Sequence, residues 1–152
     1  MFVEMSIWIF LAIFSISVTS LLFVLLKPKR DTINRGIKLG ILLLVVDFIF
    51  ENLGLIFGWK TGGSIFGIGA VPIEVTVIAF CAGVTYAMLF ARKFVFNLAV
   101  TSSLLFALIG AGVEAILLGL GVFIYYSGWT SYHALISYFI AFLLMHKLNS
   151  RL

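Results

Sequence analysis

The chain has 152 residues, 63% of them hydrophobic and only 11% charged, with a mean hydropathy of +1.24. A soluble domain is about 25% charged, so the composition excludes an ordinary soluble fold and places the chain in a bilayer. The net charge of +4 comes with no basic cluster interleaved with a groove-forming fold signal. It predicts membrane orientation and no nucleic-acid partner.

The first apolar run, Phe2 to Leu26, is long enough to cross about 30 Å of hydrocarbon. It does not read as a secretory signal, because Glu4 leads it and the basic residues follow it. Ser15, Ser17, Thr19 and Ser20 can return their hydroxyls to the helix backbone or to a neighbouring helix. Lys27-Pro28-Lys29-Arg30-Asp31 ends the span, and Pro28 discourages helix continuation.

The second span is expected over 37–59. It carries Asp47 and Glu51, four residues apart and therefore on one helix face. No Lys or Arg stands between Lys38 and Lys60 to pair with them. Lys60 to Ala70 is rich in glycine and predicts a compact, turn-rich loop that dips into the interface. Pro72 opens the third span, 71–91, because its missing N–H costs nothing in a first helical turn. That span carries Glu74, Thr76, Cys81, Thr85 and Tyr86, and stops at Arg92-Lys93. Cys81 is the chain's one cysteine; with no internal partner and no ligand spacing it reads as a small buried hydrophobe.

The fourth span is expected over 98–125. Ala107, Ala111, Ala115 and Gly119 form a small-residue ladder of the kind that lets helices approach closely in lipid. Glu114 lies beside that ladder and so should face protein. Tyr125, Tyr126, Trp129 and Tyr132 read as an interfacial aromatic belt. The fifth span is short, 133–148, and His133 and His146 fall near opposite faces as interfacial residues without metal-ligand spacing.

The fold class is therefore all-α: one transmembrane domain over 1–152, a five-helix bundle. Basic residues alternate by side: Lys27, Lys29, Arg30, Arg35 and Lys38, then Arg92 and Lys93, then Lys147 and Arg151, against Lys60 alone. The positive-inside rule then puts the N-terminus out and the C-terminus in, most simply in the cytoplasmic membrane of a prokaryote. Asp47 precedes Gly54 by seven residues and Glu114 precedes Gly121 by seven, and each glycine leads to a Trp, Trp59 or Trp129. Spans two and three could thus repeat as four and five, although chance alignment of two glycine-rich apolar helices explains the match equally well.

This topology gathers the acids. Glu51 is eight residues before Trp59, about 12 Å below the outer interface, and Glu114 lies at a similar depth. Glu74 is one turn inside the start of its span, and Asp47 is nearest the midplane. Three helices bring four acids into the outer half of the bilayer with no intramembrane base. Like charges in a dry pocket cannot all ionise, so neutral acids should sit beside carboxylates, a proton donor beside an acceptor. A single buried acid is usually an inter-helix hydrogen bond; four on three helices point to a site. Phenylalanines near the acids could stabilise a cation through their ring faces.

Asp47-x-x-x-Glu51, Gly58-Trp59, a glycine-rich loop and Gly69-Ala70-Val71-Pro72-Ile73-Glu74 resemble the membrane lycopene cyclase domain, which is related to the bacterioruberin-type carotenoid hydratases. The resemblance spans about residues 47–80, with a weaker echo in Glu114 and Trp129. The family pattern is Pro-x-Glu-Glu, and Val75 stands here in the place of the second acid. The resemblance implies protonation of a polyisoprenoid or carotenoid-like C=C by a carboxylic acid, in an isomerase (cyclase) or lyase (hydratase) reaction without redox change. It implies no metal and no redox cofactor. Glu74 then matches the first motif acid and would be essential, with Glu51, Asp47 and Glu114 as its catalytic partners. Asn52, Trp59, Tyr86 and Trp129 would contact substrate. Two other readings stand beside it: translocation of protons or cations on the same carboxylates, and a non-catalytic membrane subunit. Each leaves room for a homo- or hetero-oligomer.

Overall fold

The computed structural model describes residues 2–62, 67–68, 71–90 and 92–152. Among them are five helices: α1 (Phe2–Leu26), α2 (Arg30–Phe57), α3 (Ile73–Leu89), α4 (Phe96–Gly119) and α5 (Ser131–Arg151). The helices at 7–26, 30–57 and 96–119 are long and apolar enough to cross a membrane. Phe10, Leu25, Ile56, Phe96 and Ile116 are largely exposed, a surface suited to lipid and not to water.

The first span begins and ends where the apolar run does. The second begins seven residues earlier than 37, because its basic stretch is already helical: Arg35 is buried and its Nη2 donates to Ala87 O at 3.0 Å. The fourth ends six residues earlier than 125. Val122 N–H turns back to Leu117 O, and the chain leaves the helix as a strand. The fifth is longer than expected, extending to Arg151.

Four short strands complete the fold: β1 (Trp59–Thr61), β2 (Gly67–Ile68), β3 (Val71–Pro72) and β4 (Phe123–Tyr125). β1 pairs antiparallel with β4, setting Trp59 against Tyr125 and Thr61 against Phe123. β2 pairs with β3. The expected loop is thus bordered by strands, while its centre, 63–66 and 69–70, lies outside the described residues. Gly58 makes the turn from α2 into β1. Its φ is +119°, and its N–H closes on Gly54 O at 2.8 Å, a left-handed helix end that favours glycine.

α2 packs along α3, α4 along α5, and α1 against α3. Thr19 and Thr85 hydroxyls meet at 3.0 Å between α1 and α3, while Ser17 returns its hydroxyl to Ile13 O. The tightest helix crossing is Gly40 on Gly83, where a Cβ added to Gly83 would lie 2.6 Å from the Gly40 backbone. The small-residue ladder expected on α4 is only partly its seam. Ala107 is fully buried, but Ala115 and Gly119 face outward, and contact runs instead through Ser103, Ala107, Glu114 and Leu117. The ladder drifts off the interface because a strict four-residue step rotates around a 3.6-residue helix.

Gly83→Ala should therefore force α2 and α3 apart and cost about 1–3 kcal/mol. Gly112→Ala, which meets nothing within 4 Å, should leave stability unchanged or slightly raised. Thermal unfolding in one detergent compares the two directly.

Candidate functional site

Five helices and the β1–β4 pair line a partly open cavity of about 470 Å³, within the roughly 300–1,000 Å³ typical of small-molecule sites. α1 contributes Trp8, Leu11 and Ser15; α3 contributes Val75, Ile78, Ala79 and Ala82; α5 contributes Ser137, Tyr138, Phe142 and Met145. The lining is mostly apolar. Asp47 and Glu51 enter it from α2, and Glu114 enters from α4. No Lys, Arg or His lines it among the described residues.

Each glutamate is held by a hydroxyl from the strand that follows its own helix. Thr61 Oγ1, in β1, donates to Glu51 Oε2 at 2.7 Å. Tyr125 OH, in β4, donates to Glu114 Oε1. Tyr138, from α5, brings a second phenol to the same cavity lining as Glu114. Asp47 differs: its Oδ2 is buried and has no hydrogen-bond partner among the described residues. Burial and the adjacent Glu114 push the Tyr125 hydroxyl above its ordinary range, so it keeps its proton and remains a donor to the carboxyl group. The three acids are close enough to interact, with Glu51 sensing both Asp47 and Glu114.

Aromatic rings roof the cavity. Trp59 and Trp129 meet with centroids 4.4 Å apart and ring planes tilted by 45°. Trp8, Trp59, Leu117, Val122 and Phe123 form a buried cluster beneath the strands, and Trp8 Nε1 donates to Gly62 O at 2.7 Å. Gly54 leaves room for the Trp59 indole, since a Cβ there would come within 2.4 Å of its Nε1. Of the expected aromatic belt, Tyr125 and Trp129 are partly buried, whereas Tyr126 and Tyr132 are exposed. Tyr125 serves Glu114, and Tyr126 donates to Gly54 O at 3.2 Å. Trp129 covers Trp59, and of the four only Tyr132 is wide open to the surroundings, at 69% exposure.

Asp47, Glu51, Glu114, Trp59 and Trp129 therefore share one cavity, together with Phe50, Phe123 and Phe142. The other candidates lie elsewhere. Glu74 is buried but does not line the cavity, whereas its neighbour Val75 does. Asn52 donates to Phe48 O on its own helix. Tyr86 is bonded at 2.7 Å to His146 Nδ1 and is absent from the lining. His146 is not interfacial: it is buried among Tyr86, Phe90 and Phe94. His133 is exposed, bonded to Thr130 and stacked on Trp129.

Thr61, Tyr125 and Tyr138 were missed as site residues. Tyr138 had a legible signal, a polar residue within an apolar run of α5, but Thr61 and Tyr125 reach the acids only through strand pairing. Comparison of the chain with protein-family models, curated proteins and solved structures finds no match.

Trp59→Ala should remove the centre of the roof and cost about 3–5 kcal/mol, seen as a lowered unfolding midpoint in detergent.

Proposed function

We propose that the chain is an intramembrane enzyme that protonates a C=C of a polyisoprenoid or carotenoid-like lipid through a cavity carboxylic acid, in a reaction of the cyclase or hydratase type. One observation carries the reading: three residues with carboxyl groups line a largely apolar cavity of small-molecule size with no basic side chain in its lining among the described residues. A hydrated ion gains little from walls of Leu, Val, Ile and Phe, while a hydrocarbon chain gains from every apolar contact. That weighs against ion translocation. An open cavity also weighs against acids that serve only to lock helices together.

The chemistry follows from the lining. A neutral carboxyl supplies a proton, ring faces and carboxylates stabilise the cation that forms, and a carboxylate removes a proton to finish. Capture by water instead would give a hydratase. In the family resemblance Glu74 holds the first motif position. Because Val75 and not Glu74 lines the cavity, the proton-transfer work in this chain falls to Asp47, Glu51 and Glu114, and Glu74 supports the entry of α3. Trp59 and Trp129 would contact the substrate at the roofed end.

The finer architecture belongs to the same proposal. The roofed end carries Lys60, and the opposite end collects Arg35, Lys38, Arg92, Lys93, Lys147 and Arg151, so the roof faces outward and the C-terminus inward. An internal repeat would pair Glu51 with Glu114, each followed by a strand hydroxyl, rather than Asp47 with Glu114. Gly54 and Gly121 have different settings, one packed against Trp59 and the other with nothing within 4 Å.

Expression in bacteria that accumulate lycopene should yield cyclised or hydrated pigment, resolved by chromatography and mass spectrometry. Glu114→Gln should lower conversion by about 10²–10⁴-fold, and Ala79→Trp should abolish it by filling the cavity. Unchanged lycopene with the native chain at normal membrane abundance would remove the carotenoid reading.

A further inference from the structure

The basic end of the bundle holds a second pocket, which shares no lining residue with the carboxyl cavity. We propose that it binds an anionic phospholipid, with the phosphate on Arg35 and Lys38 and the two acyl chains lying along α2 and α5. The inference does not depend on the reaction proposed above.

The pocket has a volume of about 320 Å³ and is bordered by Asp31, Asn34, Arg35, Ile37, Lys38 and Leu152. Its polar residues follow from helical spacing. Positions 31, 34, 35 and 38 lie three and four apart, so the first turns of α2 present them on one side. Arg35 is the fixed member: it is buried at 6% exposure and its Nη2 is tied to Ala87 O, so its charge is held in place at the pocket wall. Asn34 and Lys38 are exposed and supply donors that can turn towards an incoming oxygen. Asp31 is also exposed. It is the one acidic side chain among the described residues of this end, where all of the ten Lys and Arg except Lys60 lie. An anion therefore gains from the surrounding field as well as from the pocket itself, and Asp31 is left to accept from a headgroup hydroxyl. Donors for a phosphate beside an acceptor for a hydroxyl fit phosphatidylglycerol. They do not fit phosphatidylcholine, whose quaternary ammonium has no N–H or O–H to give.

The apolar border makes this a site for a lipid rather than for a free anion. Ile37 heads an exposed stripe on α2 that continues through Ile41 and Phe48. Leu152 heads another on α5 that continues through the exposed Leu148 and Leu144. Steps of four and seven keep each stripe on one side of its helix. α2 leaves the pocket towards the strands and α5 returns from them, so both stripes run from the pocket into the bilayer. A diacyl lipid needs two such tracks meeting at one headgroup. Lys38 is the last charged residue of α2 before Asp47, which sets the pocket where charge gives way to hydrocarbon. Basic pockets between helices at that level take anionic headgroups.

Native mass spectrometry of the full chain in detergent tests the proposal. The chain is titrated with dioleoyl phosphatidylglycerol, with dioleoyl phosphatidylcholine and, as a soluble anion, with glycerol phosphate. One phosphatidylglycerol per chain should be retained about tenfold more tightly than phosphatidylcholine, and equimolar glycerol phosphate should not displace it. This comparison uses the native chain and so cannot fail by misfolding. Lys38→Gln should weaken phosphatidylglycerol retention about tenfold, the effect of one charge-assisted hydrogen bond. Lys93→Gln removes the same charge at the same end but outside the pocket lining, and should change retention by less than about twofold at physiological salt. Both lysines are exposed, and an unchanged unfolding midpoint in detergent alone shows that both variants fold. Equal retention of the two lipids means a greasy surface without headgroup selection, equal weakening by the two substitutions means diffuse charge, and displacement by glycerol phosphate means a free-anion site. Any of the three overturns the proposal.

Discussion

The pairing of Trp59–Thr61 with Phe123–Tyr125 is the constraint on which the site depends. Backbone that leaves a helix must find other hydrogen bonds, and here α2 and α4 end in strands that satisfy each other. The pairing fixes the spacing of the two helix ends, and with it the spacing of Glu51 and Glu114, each a turn or two below. It also delivers Thr61 and Tyr125 to those acids. Gly58 makes this possible at the α2 end by closing the helix in the left-handed region, close against Tyr126 O. A side chain at that position would both strain the turn and push the strands apart, so the Gly58-Trp59 pair matters as geometry before it matters as a surface for substrate.

The two ends of the bundle use polar residues differently. At the basic end, Arg35 is bonded to Ala87 O, Tyr86 to His146, and Asn149 to Phe90 O. These contacts tie α2, α3 and α5 together, in surroundings dense with rings such as Phe90, Phe94 and Phe106. At the roofed end, polar groups border empty space. The linings are what separate the two ends here: the pocket at the basic end is bordered by Asp31, Asn34, Arg35 and Lys38, whereas the cavity at the roofed end sets its acids among mostly apolar side chains.

Much of this was legible in the sequence, for physical reasons. Runs such as Phe2–Leu26 are long and uninterrupted, so the number and approximate position of the helices follow from length, but only α1, α2 and α4 of the five expected spans are long and apolar enough to cross a membrane. Acids within an apolar run stand out, and alternating direction predicts that Glu51 and Glu114 share a depth. Span ends were less legible. Arg30–Ile37 reads as a polar linker but is helical because Arg35 finds a carbonyl on α3, and 120–125 reads as helix but is recruited into a strand by a partner some sixty residues away. Three-residue strands carry no periodic signal. Which of Glu74 and Val75 lines the cavity was beyond reach as well, since adjacent helical positions differ by about 100° and the rotation of α3 is set by its contacts with α1 and α2.

The choice of partners for the acids is itself informative. A Lys or Arg beside Glu51 or Glu114 would hold the carboxylate charged at all times and make it a fixed structural ion pair. A hydroxyl behaves otherwise: it donates to a carboxylate and accepts from a carboxylic acid, because oxygen carries both a proton and lone pairs. Thr61 and Tyr125 can therefore stay bonded to their glutamates in either protonation state, with only the hydrogen changing place. That is the property a group needs if it must gain and lose a proton in a dry cavity without repacking its neighbours. Among the described residues no basic side chain lines the cavity, so no fixed ion pair there holds these carboxyl groups in one charge state.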